Sequence, residues 1–130
     1  MLGWAIQTRV LAACALAAAF SSTASWTVAE ERFLKLAPGQ IKARLAGMEI
    51  TDGVHWAEQY MGDGTFKAFH MGKASKGKWF VRDGELYLED GKNGPECKEV
   101  WLSGTKVEFR VPGSGLPPFE GLLQKQEPRS

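Results

Sequence analysis

The chain has 130 residues, with 16 Lys and Arg against 15 Asp and Glu, a formal charge of +1, and 44% apolar residues. That is one domain of ordinary globular composition, too short for a multidomain enzyme or a polytopic membrane protein. Its near-neutrality leaves no surplus of basic charge for the phosphate neutralisation on which nucleic-acid binding runs.

The first residues read as an address. Arg9 is the only charge before an apolar run, Val10 to Phe20, which the small polar residues Ser21, Ser22 and Thr23 follow. A charged start, a short apolar core and a small-residue cleavage site describe a secretory signal peptide, and the core is too short to span a bilayer. Cleavage fits after Ala24, making residues 1–24 the leader, or after Ala29. Leu11-Ala12-Ala13-Cys14 spells a lipobox, but the apolar core continues past Cys14 instead of ending before it. A soluble periplasmic or secreted product is expected, with no membrane span left after cleavage. Removal of Cys14 leaves Cys97 as a free thiol, expected to be a small buried hydrophobe in a strand.

Residues 30–124 read as a single β domain, and 125–130 as a disordered tail. Pro38 to Ala46 predicts one short helix: Pro38 suits its first turn, Ile41 and Leu45 share a face, and Gly47 follows as a cap. Beyond Gly47 the pattern alternates with period two, punctuated by Asp-Gly at 52–53, 63–64, 83–84 and 90–91 and by Ser103-Gly104. Asp-Gly supplies the positive φ of tight hairpins. Strands are expected over 54–60, 65–71, 78–82, 85–89, 96–102 and 105–110, with further ones over 48–51 and 120–123. The fold class is therefore mainly β: an antiparallel meander of about six to eight short strands curled into a small barrel or half-barrel, with one N-terminal helix. The segment 112–118 (PGSGLPP) is a loop, since proline donates nothing to a ladder.

The residues Leu45-Ala46-Gly47, Asp52-Gly53-Val54-His55-Trp56, Tyr60 to Phe66 (YMGDGTF), Gly77 to Leu88 and Cys97 to Trp101 carry a resemblance. About two thirds of the chain resembles a group of small exported bacterial proteins with no assigned activity. The group's pattern includes Gly-x-Trp-x-Val-x-Asp-Gly-x-Leu-Cys-Leu and then Cys-Tyr-x-Val. The resemblance implies export and a β fold, and a disulfide to the position of Cys97. Here Tyr87 replaces the first cysteine, so that bridge is absent.

Motifs that carry chemistry are sparse. Gly72 to Lys78 (GKASKGK) matches the start of a phosphate-binding loop, but Trp79 stands where the hydroxyl belongs and a strand follows instead of a helix, so a flexible hairpin connection is expected. Its Lys73, Lys76 and Lys78 form a local positive patch. His55 and His70, even joined by Glu58 or Asp63, lack metal-ligand spacing. No Gly-x-Ser-x-Gly elbow is present, and Glu85, Glu89, Asp90, Glu96 and Glu99 read as a solvated face. No catalytic residue, metal or cofactor is expected. Trp56, Trp79 and Trp101, with Tyr60 and Tyr87, are the candidate ligand-binding set, either filling the interior or gripping an apolar ligand. The function expected is a non-catalytic binding or interaction protein whose partner is a protein or envelope component. The alternative is a lipocalin-like carrier of a small apolar ligand, and a hydrolase stands behind both.

Overall fold

The structure is a computed structural model and describes Ala24, residues 31–92 and residues 94–129. The leader and Cys14 lie outside the described residues, apart from Ala24.

A two-residue strand β1 (Leu34–Lys35) precedes helix α1 (Pro38–Leu45). Eight strands follow: β2 (Met48–Thr51), β3 (Trp56–Tyr60), β4 (Thr65–His70), β5 (Lys73–Arg82), β6 (Glu85–Glu89), β7 (Glu96–Ser103), β8 (Lys106–Arg110) and β9 (Phe119–Lys125). Each of these eight pairs antiparallel with its neighbours, β9 with β2 and β7 with β8, so the sheet closes into an eight-stranded barrel. Closure removes the free edges that an open meander would leave. β1 adds to β7 beyond the end of β6 (Leu34 opposite Leu102), a pairing too short to be read from sequence.

Residues directly opposed across a ladder share a face, and the register thereby sorts the wall. Ile50, Tyr60, Phe66, Trp79, Leu86, Val100, Val107, Phe109 and Leu123 point inward and are buried together. α1 plugs one end with Ile41 and Leu45, both fully buried. Pro38 opens the helix, and the Gln40 side chain accepts a hydrogen bond from the Ala37 N–H at 2.9 Å. Eight residues are too few for a helix to stand alone, so its stability comes from this packing. Above the plug, Tyr60 meets Trp79 edge-on at 5.6 Å, and the Trp79 indole N–H donates to the Met61 carbonyl at 2.8 Å.

Two segments differ from expectation. Gly72 to Lys78 is no loose connection. Met71 and Gly72 alone make the turn, with φ of 48° and 80°, and β5 runs unbroken from Lys73, paired with β4 from His70↔Lys73 to Thr65↔Lys78. Two successive positive φ values define the tight hairpin turn. Methionine in its first position hides that turn from a sequence reading, and it also takes Met71 out of the expected strand 65–71. The tail is likewise held. Arg129 grips the Glu49 carboxylate with two hydrogen bonds of 2.6 and 3.0 Å, and Gln59 donates to the Glu127 carbonyl at 2.8 Å. Glu49 lies on the outer wall and is fully buried beneath this tail, with Gln59 and Gln124 also donating to it. Burial alone would raise its pKa, but these donors outweigh it and hold the carboxyl below its usual range.

Candidate functional site: the open end of the barrel

In an up-and-down barrel every second connection falls at the same end. The end opposite α1 therefore gathers the β2–β3 loop (residues 52–55), the β4–β5 turn (71–72), the β6–β7 loop (90–95) and the β8–β9 loop (111–118). Two contacts tie these together. The Met71 N–H donates to the His55 carbonyl at 2.9 Å, and the Trp56 ring lies 4.5 Å from that of Phe119. β2 has only four residues, which is why β3 and β9 meet across its end. Gly121 makes this fit possible: a Cβ there would sit 2.7 Å from the Trp56 ring and 2.8 Å from Ile50. His70 stacks on the other side of Trp56 at 6.4 Å.

Asp52 builds the corner beneath Val54. What burial it has would raise its pKa, yet its carboxylate accepts from the backbone N–H groups of Trp56, Val54 and His55 and pairs with the His55 ring at 2.9 Å, which together hold it well below the usual carboxylate range. The loop is thus a fixed platform. On it Val54 is 82% exposed, on the next turn Met71 is 77% exposed, and Leu116 on the β8–β9 loop is 75% exposed. Val111 and Phe119 add to the same arc. The remaining two strongly exposed large apolar residues among those described, Leu34 and Leu122, lie on the wall. The turns at the α1 end (61–64, 83–84 and 104–105) carry none.

Inside this mouth the wall holds charge. Glu58, between Trp56 and Tyr60 on the inward face of β3, accepts the Tyr60 hydroxyl at 2.5 Å. Lys98, inward on β7, places its ammonium 3.8 Å from the other Glu58 oxygen and 4.3 Å from the centre of the Phe109 ring. Lys98 is 9% exposed, and no hydrogen-bond acceptor lies within reach of its ammonium among the described residues. Burial and the Glu58 charge push the Tyr60 phenol far above its usual range, so it remains a donor. A pocket of about 180 Å³ opens from the mouth onto Glu58, past Phe66, Ala68, His70, Ser75, Leu88 and Glu96.

The expected aromatic set divides. Trp56, Tyr60 and Trp79 face the interior, whereas Trp101 and Tyr87 lie on the outer wall, each opposed to another outward residue. Strand β7 carries apolar side chains on both faces, and its inward phase takes Lys98, Val100 and Leu102 rather than Cys97 and Trp101. Trp101 packs under the Arg110 guanidinium at 3.9 Å, and Arg110 in turn pairs with Glu108 at 2.7 Å. Tyr87 stacks on Phe80 at 5.2 Å. Cys97 is free and opposite Tyr87, and it is only half-buried instead of lying in the core. A hydrogen bond to Glu85, then burial, then the Glu85 charge raise the thiol's pKa, which keeps it protonated and a poor nucleophile.

The two histidines do not converge, since His55 is engaged by Asp52 and His70 by Trp56. Among the described residues no group of three or more His, Cys, Asp or Glu side chains is placed to hold a metal. Two features went unread in the sequence. The inward charge pair was visible as Glu58 and Lys98 in phase with apolar neighbours, and the apolar arc as Val54, Met71 and Leu116 within turn segments.

No family model, no curated protein and no solved structure matches this chain.

Proposed function

We propose that this protein is a non-catalytic binding domain of the bacterial cell envelope, exported by its leader, and that the open end of the barrel is its recognition surface. One observation carries the reading: three connections at that end hold Val54, Met71 and Leu116 in solvent, while the opposite end exposes no comparable side chain among the described residues. Loops that keep apolar side chains in water mark an interaction site. Cell fractionation with N-terminal sequencing tests the export: a periplasmic or secreted product beginning after Ala24 or Ala29 is expected, and a cytosolic product beginning at Met1 contradicts it. Native mass spectrometry of protein from its own cells tests the binding mode. A co-purifying component that Leu116→Asp removes supports the reading, and one retained by that variant opposes it.

The pocket favours a second reading, a lipocalin-like carrier. At about 180 Å³ it is smaller than the roughly 300–1,000 Å³ of sites for drug-sized ligands. This reading therefore takes a very small ligand, released by organic solvent in the same mass spectrum.

A further inference from the structure

Strands β3, β4 and β5 place two rows of side chains on the outer wall. Ala57, Phe69 and Ala74 are directly opposed in one row, and Gln59, Lys67 and Lys76 in the next. The first row forms a trough, because Phe69 is half-buried and its neighbours on both strands are no larger than a methyl group. The second row is charged. Lys67 and Lys76 stand directly opposite each other, where like charges repel, and neither makes an ion pair among the described residues. The C-terminal strap adds a third cation. Arg129 turns Nε and Nη2 to Glu49, which leaves Nη1 without a hydrogen bond among the described residues. A pocket of about 380 Å³ lies between these groups, lined by Lys67, Phe69, Ala74, Ser75, Lys76 and Arg129: three cations and no carboxylate. The nearby acids leave the two lysines uncompensated. Glu49 is fully buried beneath Arg129, Glu127 lies 3.7 Å from the same guanidinium, and Asp63 senses Lys67 without pairing with it. A second pocket, of about 350 Å³, shares Phe69 and Arg129 and carries the trough on to His55 and Gly72. Each volume falls within the roughly 300–1,000 Å³ of small-molecule sites.

We propose that this trough binds a flat organic dianion, an aryl phosphate monoester being the simplest, with its ring over Phe69 and its phosphate among Lys67, Lys76 and Arg129. The site lies on the wall, goes beyond the reading of the open end and does not depend on it. The test is titration of the full-length protein with phenyl phosphate above pH 7, followed by the amide resonances in NMR. For so small a probe on an open site a dissociation constant of about 1 mM is expected. The shifts of the unaltered protein should centre on residues 67–69, 74–76 and 128–129, which keeps the test independent of any variant's folding. Phenol, which has the ring without the charge, should bind at least about tenfold more weakly, and inorganic phosphate should shift the lysine-bearing segments more weakly than phenyl phosphate does. Lys67→Gln and Lys76→Gln should each weaken phenyl phosphate about fivefold and leave phenol unchanged. Ala74→Leu, at an exposed position, should fill the trough and weaken phenyl phosphate about tenfold or more. No shift at millimolar phenyl phosphate overturns the proposal, as does binding that phenol matches or that both lysine variants retain. Shifts confined to residues 52–55 and 111–118 also overturn it, and they place the ligand at the open end instead.

Discussion

Replacing Lys98 with methionine isolates the charge inside the barrel. The ammonium lies 3.8 Å from Glu58, and the two side chains are 11% and 7% exposed. At an effective dielectric of about 20 their gross attraction is about 4 kcal/mol. Methionine refills most of the volume, so little cavity cost arises. The loss then comes from leaving Glu58 in the lumen with only the Tyr60 hydroxyl, and breaking one side of such a pair costs about 3 kcal/mol. For a domain of this size that lowers Tm by roughly 12–24 °C. The double variant Glu58→Gln/Lys98→Met removes both charges while the side-chain amide still accepts from the Tyr60 hydroxyl, and it should unfold within about 1 kcal/mol of wild type. Urea titration of the four proteins, followed by circular dichroism, yields the coupling directly. Additive single effects, or a Lys98→Met loss under about 0.5 kcal/mol, would refute the reasoning. A double variant as stable as wild type would show that the pair is not kept for stability, and the pocket that ends on Glu58 supplies the other reason to keep it.

Three further outcomes are expected. Tyr87→Cys should cross-link to Cys97 on oxidation, because directly opposed strand positions lie within disulfide range; closing a loop of about ten residues should make the oxidised form about 2–3 kcal/mol more stable than the reduced form in urea titration, and a failure to cross-link would refute the β6–β7 register. Native Cys97 should react slowly with a thiol reagent at neutral pH and several-fold faster in Glu85→Gln, since the Glu85 carboxylate is the main cause of its raised pKa; an unchanged rate would refute that cause. Arg129→Ala should cost about 1–3 kcal/mol at neutral pH. Glu49 has a lowered pKa in the folded chain, so its contribution is complete above the unfolded carboxyl pKa and is lost as pH falls through the folded value; the gap between variant and wild type should close in acid, and a gap constant with pH would contradict the clamp.

The fold was legible wherever local chemistry dictates backbone geometry. Asp83-Gly84 turns the chain with both φ values positive, at 51° and 78°, and Ile41 and Leu45 plug the barrel from a helix ending within a residue of its predicted stop. What was not legible depended on partners distant in sequence. Met71-Gly72 adopts the same turn geometry as Asp83-Gly84 because β4 pairs along its full length with the first six residues of β5, a constraint that no dipeptide preference reveals. Trp101 looked internal because it is large and apolar, yet the register of β7 against β8 assigns the interior to Val100 and Leu102, and the ring is instead covered by Arg110. The tail looked frayed because its composition is polar, and Glu49, eighty positions earlier, is what fixes it. At the open end, single apolar residues within turns carry no periodicity, so only the closed topology brings Val54, Met71 and Leu116 onto one surface.

The most direct measurement places a photoreactive amino acid at Leu116 and, separately, at Thr105, and irradiates living cells. The open-end account predicts an adduct, lipid or polypeptide, from position 116 and little from position 105. Equal labelling at both ends, or adducts from position 105 alone, would contradict it.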